Sequence, residues 1–203
     1  MPLNRLYNFH WIVRGEAARS SQSYLGGLGT FLKSNRLKAV INLRGAHPDV
    51  AWWRYETETC TRIGVAHFDA MMDSKRLPLR PMLVTLFDAF DAAPKPFVIK
   101  CSGGQDRTSL AAALYIVHRD GWTAMDRAQQ QFSAFPYLHF PKKPQRWLRQ
   151  FLVFAKQQTN GAPLADWVRR DYDPHKLAQW LDGNGFAGSY NGIWEPWKPR
   201  APR

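Results

Sequence analysis

Residues 97–114, FVIKCSGGQDRTSLAAAL, join a short β-like run to an almost wholly apolar stretch through one cysteine, two glycines and one arginine. Gly103 and Gly104 allow a tight turn in which successive backbone N–H groups point inward, and such a turn binds an anion. The helix that we expect to begin near Thr108 directs its positive N-terminal end to the same place. The stretch therefore predicts a strand, an anion-binding loop and a helix in succession.

Cys101 begins this loop, and Arg107 follows it by six positions. A guanidinium binds two phosphate oxygens at once, and with the helix end it lowers the pKa of a nearby thiol below about 8.5. Cys101 would then be a thiolate nucleophile facing a bound phosphoryl group. The alternative is a buried structural cysteine at the end of a strand, beside a surface arginine. The stretch lacks both the Gly-Lys-Ser/Thr ending of an ATP-binding loop and the three-glycine dinucleotide fingerprint.

Outside this stretch, β-like runs alternate with amphipathic segments whose apolar residues recur every three or four positions. The predicted strands are 37–43, 65–68 and 97–99. The predicted helices are 21–35, 47–64 (with Asp49 as N-cap and Gly64 as its stop), 78–93, 109–120 (ended by Gly121), 124–135 and 144–158. This alternation predicts an α/β fold with some parallel strand pairs and helices on both faces of the sheet.

The length and composition fit one globular domain. The chain has 203 residues, of which 45% are hydrophobic and 22% charged. We expect a main domain over 1–159 and a Trp/Pro/Gly-rich C-terminal appendage over 160–203 that packs on the same domain or trails from it. No apolar run approaches the roughly 20 residues of a membrane span and no secretory signal is recognisable, so the expected location is the cytoplasm.

The charge balance favours anionic partners. The chain carries 28 basic and 16 acidic residues, a net charge of +12. Phosphorylated molecules, nucleic acid and an acidic membrane surface are all anionic partners that suit this charge. The alternative is a protein surface that is basic without binding any of them. The two cysteines, Cys60 and Cys101, form no disulfide framework, and the six histidines show no metal-binding spacing.

The pattern C-x5-R-[ST], from Cys101 to Thr108, resembles the signature loop of the cysteine-dependent protein tyrosine and dual-specificity phosphatases. The upstream stretch ARSSQSYLGGLGTFLKSNRLKAVINLRG is similar to the start of small members of that superfamily, so the resemblance covers roughly residues 15–155. It implies a protein tyrosine phosphatase-like fold, whose central, mostly parallel sheet has about four to five strands. It also implies hydrolysis of phosphate monoesters without a cofactor or a metal ion.

The resemblance assigns roles to the loop residues. Cys101 attacks phosphorus and forms a phosphocysteine, Arg107 stabilises the transition states, and Thr108 assists the departure of the sulfur. The substrate-binding residues that it implies are Ser102, Gly103, Gly104, Gln105, Asp106 and Thr108. The implied substrates are phosphotyrosine or other phosphorylated protein side chains, phospholipids or small phosphorylated molecules.

An aspartic acid must protonate the leaving oxygen, and the family places it about thirty residues before the cysteine. Asp73 lies 28 positions upstream of Cys101 and Asp69 lies 32 positions upstream, so the spacing leaves both open. Asp69 directly follows the strand-like run, whereas Asp73 stands in the middle of the loop, ahead of Pro78. We therefore expect Asp73 to be the general acid.

Four positions depart from the family's pattern or bear on it. Lys100 stands where the family usually has histidine, and Ser109 where it often has glycine. The loop resembles the GKDRT variant of some bacterial phosphatases, but Gln105 replaces its lysine. Asp106 beside a phosphate is unfavourable unless it turns away to hold Arg107 or a neighbouring amide.

Two further residues have competing interpretations. Arg44, at the end of a predicted strand, could reach the rim of the site or form an ordinary salt bridge. Cys60 could form a protective disulfide with an oxidised Cys101, but a half-buried cysteine on an amphipathic helix is the simpler reading.

Two other functions stay open. One is removal of the γ-phosphate from RNA 5′ ends, which the charge would suit, although no dense Lys/Arg stripe surrounds the loop. Nucleic acid is therefore a less favoured partner. The other is a non-catalytic module that binds phosphorylated partners; the presence of cysteine, arginine, Thr108 and a candidate acid argues against it.

Overall fold

Five short strands form one central sheet in the computed structural model, which describes residues 2–23 and 26–196. The strands are β1 (His10–Val13), β2 (Ala17–Ser20), β3 (Ala39–Asn42), β4 (Ala66–Asp69) and β5 (Phe97–Lys100). Their order is β1-β2-β5-β3-β4; β1 and β2 are antiparallel, and the other neighbours are parallel. The predicted α/β fold with a mostly parallel sheet is confirmed.

Helices cover both faces of this sheet. They are α1 (Pro2–Leu6), α2 (Leu28–Ser34), α3 (Ala51–Arg62), α4 (Arg80–Ala92), α5 (Asp106–Asp120), α6 (Met125–Gln129), α7 (Trp147–Thr159), α8 (Leu164–Arg170) and α9 (Pro174–Gly183). Short 3-10 turns occupy Trp122–Ala124, Gln130–Phe132 and Lys143–Gln145. Within residues 2–23 and 26–196, no helix has the length and apolar character that crossing a bilayer requires.

Alternate side chains of the central strands enter two separate hydrophobic clusters. Val40 and Val98 pack on one face with Phe31 of α2 and Cys60 of α3. Their neighbours along the strands point to the other face, where they join the larger cluster formed with α4, α5, α7, α8 and α9. Because successive strand residues point to opposite faces, four-residue strands suffice to join both layers of helices.

Several local predictions were wrong. Strands β1 and β2 were not predicted. The sequence of β2, AARS, lacks the β-branched and aromatic residues typical of strands, whereas β1, HWIV, contains them. Asp49 is not the N-cap of α3: it lies in a turn in which the Val50 N–H donates to the His47 carbonyl, and Val50 occupies the cap position. The helix predicted over 124–135 is broken into α6 and two 3-10 turns.

The C-terminal part of the described chain packs against the large cluster. Helices α8 and α9 bury Trp167, Leu177 and Leu181 there, and Tyr172 between them is fully buried. The Tyr172 hydroxyl donates to the Pro78 carbonyl at 2.8 Å, which fixes these helices to the segment before α4. Residues 160–196 therefore share their core with the rest of the chain.

The carboxyl ends of the parallel strands bring polar residues together at one edge. Ser20, Lys100, Asn42 and Asp69 end β2, β5, β3 and β4, and the strand registers place them side by side. Strand β5 lies between β2 and β3. The chain continues from β3 to helix α3 on one face of the sheet, and from β5 to helix α5 on the other face. Open α/β sheets bind their ligands at such a point.

Candidate active site

The loop after β5 surrounds Cys101, which is 3% exposed. Burial alone would raise the pKa of its thiol, but the Arg107 charge, the Thr108 hydroxyl and the backbone N–H groups of Gln105 and Gly104 together bring that pKa below its ordinary value. The same groups that stabilise a thiolate bind phosphate oxygens. The structure thus brings Cys101, Arg107 and Thr108 together, as the sequence predicted.

Gly104 is the tightest point of the loop. Its φ is +65°, and a Cβ there would lie 2.6 Å from the carbonyl carbon of Ser20 and 2.6 Å from the nitrogen of Ser21. Both neighbours are backbone atoms at the end of β2, so they have little room to move. Gly103, by contrast, has only the flexible Gln105 side chain within 4 Å. Only glycine fits at position 104.

Arg19 of β2 holds the loop by hydrogen bonds to its backbone, and no sequence motif marks this arginine. Its side chain is fully buried, and it donates to the carbonyl oxygens of Gly104 at 3.1 Å and Gln105 at 3.4 Å, and to the Ser109 hydroxyl at 2.8 Å. Burial lowers its pKa to about 10, so the guanidinium stays charged at neutral pH. Ser109, the departure from the family's glycine, is thus a hydrogen-bond partner of this arginine.

Asn8 makes a second connection between the N-terminal segment and the loop. Its side-chain amide donates to the Gly104 carbonyl and to the Tyr137 carbonyl, both at 3.2 Å. No periodic or compositional signal marks Asn8 or Arg19 in the sequence, because their loop partners are mostly carbonyl groups about 85 residues or more away along the chain.

Lys100, which precedes the cysteine, belongs to a buried charged network. It is 3% exposed, and its ammonium group lies 2.7 Å from the Glu56 carboxylate and 2.7 Å from the Gln22 side-chain oxygen. His67 bonds the same Glu56 carboxylate at 2.9 Å. Burial lowers the Lys100 pKa to about 8, whereas hydrogen bonds from His67 and the Lys100 charge hold the Glu56 pKa below its usual value despite burial.

Arg107 and Arg44 have different partners near the end of β3. The Arg107 guanidinium donates to the Leu43 carbonyl at 3.5 Å. The Arg44 guanidinium lies over the Trp52 ring, 3.5 Å from its centroid, and donates to Gln22 at 3.2 Å. Arg44 therefore stacks on an aromatic ring and bonds the Gln22 amide, at the same end of β3 that Arg107 contacts.

The side chain of Asp106, the first residue of α5, is hydrogen-bonded to the side-chain amide of Gln145. Its carboxylate accepts from the Gln145 amide nitrogen at 2.7 Å, and the His139 ring lies 3.4 Å from its other oxygen. Burial lowers the His139 pKa to about 4 and raises that of Asp106. Gln145 also donates to the Ser74 hydroxyl at 3.3 Å, and so joins this loop to the segment after β4.

The two candidate acids differ in their surroundings. Asp69 ends β4, and its carboxylate accepts from the Asn42 amide at 2.6 Å and from the Trp53 indole at 3.0 Å. One oxygen of Asp73 accepts from the backbone N–H groups of Lys75 and Arg76, at 2.7 and 3.1 Å. Asp69 is thus held by the sheet edge, whereas Asp73 stands in the loop and lines a cleft of about 620 Å³.

The loop that carries Asp73, residues 70–78, pairs with the C-terminal strap, which we define as residues 190–196. The Asn191 N–H donates to the Lys75 carbonyl at 2.6 Å, and the Trp194 N–H donates to the Leu77 carbonyl at 2.8 Å. The Leu77 N–H donates to the Gly192 carbonyl at 3.0 Å. The strap forms the opposite wall of the Asp73 cleft.

The remaining candidate residues are two loop residues, Ser102 and Gly103, and the second cysteine, Cys60. Ser102 and Gly103 are exposed at the mouth of the loop. Cys60 packs in the smaller cluster on the opposite face from the one that contains Cys101, and burial raises its pKa to about 12. Within the described ranges, no three His, Cys, Asp or Glu side chains are grouped to hold a metal ion.

Comparisons with known proteins give a structural match only. No protein-family model matches the chain, and no curated protein sequence is significantly similar. Among solved structures, P. aeruginosa TpbA is 16% identical with a TM-score of 0.52, over 87% of this chain and 92% of that one. Its cysteine-to-serine form was solved in complex with pTyr, at a TM-score of 0.50.

Two further solved structures match at a similarly low sequence identity and a similar TM-score. A putative phosphatase (DUF442) from Shewanella putrefaciens is 19% identical with a TM-score of 0.53, over 75% of this chain and 97% of that one. Tk-PTP in its active form is 15% identical with a TM-score of 0.53, over 71% and 95%. The predicted protein tyrosine phosphatase-like fold is confirmed.

Proposed function

We propose that this chain, which has the fold of the cysteine-dependent phosphatases, hydrolyses phosphate monoesters through a phosphocysteine intermediate. One observation carries the proposal. Cys101 is a buried thiol whose pKa is nevertheless lowered, because Arg107, Thr108 and two loop N–H groups surround it. A buried thiolate inside an anion-binding loop is the arrangement that nucleophilic attack on phosphorus needs.

In the first step, the Cys101 sulfur attacks phosphorus and an S–P bond forms. The bond from phosphorus to the leaving oxygen breaks, and Asp73 transfers its proton to that oxygen. In the second step, water attacks phosphorus and gives a proton to the Asp73 carboxylate, while the S–P bond breaks and phosphate is released. Arg107 and the loop N–H groups stabilise the added negative charge in both steps.

Asp73 is the proposed acid because its surroundings suit a proton donor better than those of Asp69. The Asp69 carboxylate accepts hydrogen bonds from the side chains of Asn42 and Trp53, which hold it against the sheet edge. Asp73 lines an open cleft. Its Oδ1 accepts the N–H groups of Lys75 and Arg76, and we propose that its Oδ2 carries the proton for the leaving oxygen. Gln145, which bonds both Ser74 and Asp106, connects the loop of Asp73 to the loop of Cys101.

The proposed substrates are phosphotyrosine and other phosphorylated protein side chains, with phospholipids and small phosphorylated molecules as further members of the class. The pTyr complex of TpbA supports the first of these, since the two proteins share a fold. The two cysteines are free thiols, which fits the cytoplasmic location predicted from the sequence.

The test is turnover of an aryl phosphate by fresh, reduced protein. We expect phosphate release from wild type, none from Cys101→Ser, and alkylation of the wild-type thiol by iodoacetate with a midpoint at lower pH than that of free cysteine. A thiol that alkylates no faster at neutral pH than free cysteine would contradict the proposal. Binding of phosphate or vanadate without turnover would indicate a phosphate-binding module instead.

Asp73→Asn, compared with Asp69→Asn, tests the acid. We expect Asp73→Asn to lower kcat about 100-fold and to flatten the alkaline limb of the pH–rate profile, because a general acid must be protonated. Asp69→Asn should keep both limbs. If only the Asp69 variant loses the alkaline limb, Asp69 is the acid and the phosphocysteine mechanism still stands.

A further inference from the structure

Residues 127–165 form a long segment without a single Asp or Glu. It contains six basic residues, and all six are exposed in the structure. They are Arg127, Lys142, Lys143, Arg146, Arg149 and Lys156. Half of the chain's net charge of +12 therefore resides in 39 residues, where no carboxylate of the same segment neutralises it.

The same segment exposes large apolar side chains. Phe135 is 76% exposed, Phe140 63% and Leu138 39%; elsewhere in the described ranges only Leu6 and Val50 are comparable. The two phenyl rings pack edge to face at 82°, with centroids 6.0 Å apart. They form one apolar projection with Leu138 beside them in the chain.

Cations lie beside this projection. Arg146 and Arg149 line a cleft of about 370 Å³ together with Ala134 and Pro141, which flank the exposed rings in the chain. Lys142 and Lys143 follow Pro141 directly and are also exposed. The apolar projection is therefore bordered by positive charge along the 141–149 side.

The base of the projection contacts the groups that support the catalytic loop. The Arg19 guanidinium lies over the Tyr137 ring, 4.2 Å from its centroid, and Asn8 donates to the Tyr137 carbonyl at 3.2 Å. Gln145 bonds Asp106 at 2.7 Å. Whatever binds residues 133–149 is thus held next to the loop that carries Cys101.

We propose that residues 133–149 are a docking surface for an anionic phospholipid bilayer. Phe135, Leu138 and Phe140 enter the boundary between headgroups and acyl chains, and the surrounding lysines and arginines bind headgroup phosphates. Apolar insertion together with attraction to anionic lipid is how peripheral proteins bind membranes reversibly. Docking brings the catalytic loop to the membrane surface.

The shape of the projection favours a bilayer over a nucleic acid. Single-stranded nucleic acid stacks its bases on open aromatic faces along a basic groove. Here Phe135 and Phe140 cover each other edge to face and project from the surface, so they suit insertion better than stacking. Membrane binding does not depend on the proposed phosphatase activity, because it can be measured without a substrate.

The test is co-sedimentation of the full chain with vesicles of phosphatidylcholine alone or with about 30 mol% phosphatidylserine. We expect binding that requires the anionic lipid and weakens with added salt. Phe135→Ser/Phe140→Ser should weaken it at least about tenfold, and Lys143→Gln/Arg146→Gln about 30-fold. The matched controls, Leu6→Ser and Lys33→Gln/Lys38→Gln, remove exposed groups elsewhere and should change it little.

Unchanged far-UV circular dichroism shows that each variant is folded. Equal binding to both kinds of vesicle, or none, would overturn the proposal. So would an equal loss in the control variants, full retention in the double Phe variant, or tighter binding to a single-stranded RNA oligonucleotide than to anionic vesicles. None of these outcomes bears on whether Cys101 is a nucleophile.

Discussion

The proposed catalytic loop at residues 101–105 and the Asp73 loop at residues 70–78 are held in different ways. Buried side chains support the first: Arg19 and Asn8 donate to its carbonyl groups, and the Lys100–Glu56 pair lies at its start. Backbone hydrogen bonds to the C-terminal strap support the second. Gln145, which bonds both Asp106 and Ser74, connects the two.

This difference matches the role that we propose for each loop. A thiolate is stable only where several dipoles and charges point at it, so the catalytic loop needs a rigid, preorganised backbone. An acid needs correct placement relative to the leaving oxygen, which backbone pairing provides with few demands on side-chain identity. Changes of buried side chains should therefore affect the first loop most, and removal of backbone donors should affect the second.

The largest effect is expected from Gly104→Ala. The added methyl would lie 2.6 Å from backbone atoms of Ser20 and Ser21, so the loop must open and its N–H groups turn away from the bound phosphate. We expect kcat to fall at least about 100-fold on an aryl phosphate, the effect of losing one such donor. Gly103→Ala is the matched control and should retain most activity; a similar loss there would show that loop position, not steric contact, matters.

The next effect concerns stability. Lys100→Met leaves the Glu56 carboxylate, 1% exposed, without its cation, and we expect the free energy of unfolding to fall by about 3–5 kcal/mol at neutral pH. Lys100→Met/Glu56→Gln should recover much of the loss. Denaturant unfolding measures both, and an intact free energy in the single variant would show that the pair does not stabilise the loop.

The same pair predicts a pH dependence. The folded-state pKa of Glu56 is lowered, so its contribution to stability is present above its unfolded pKa of about 4.5 and is lost as pH falls through the lower folded pKa. In Lys100→Met, the unpaired carboxylate gains a proton more easily. The deficit relative to wild type should therefore shrink on acidification, and a constant deficit from pH 7 to pH 4 would contradict this.

The smallest effect is expected from the strap. Asn191→Pro removes the N–H that donates to the Lys75 carbonyl, whereas Asn191→Ala keeps it. We expect the proline variant to lose about tenfold in kcat on phenyl phosphate and little on nitrophenyl phosphate, whose leaving group needs no proton. Iodoacetate should alkylate Cys101 as in wild type. Equal losses on both substrates would show that the strap acts on the whole fold.

Much of the site was readable because its residues are adjacent in the chain. Cys101, Gly104, Arg107 and Thr108 lie within eight positions, and the strand before them and the helix after them have strong local patterns. The residues that support the loop were not readable. Arg19 and Asn8 contact carbonyl groups that every sequence possesses, so no residue pattern marks the partnership.

The choice between two aspartates shows the same division. Spacing from Cys101 allowed both, and position within the loop favoured Asp73. The structure adds the partners of Asp69, which come from β3 and α3, and the C-terminal strap opposite Asp73. These contacts join segments that are about 15 to 120 residues apart, so they depend on the packing of the whole chain.

By itself, the sequence determined the order of strand, anion-binding loop and helix around Cys101, because tight turns, helix ends and glycine conformations are local properties of the chain. It also determined the excess of positive charge. Only the tertiary structure decided which buried groups hold the loop, which carboxylate faces an open cleft, and which apolar side chains stay exposed beside the cations. Those outcomes depend on burial and on distances between remote segments, which follow from the packing of the sheet and its helices.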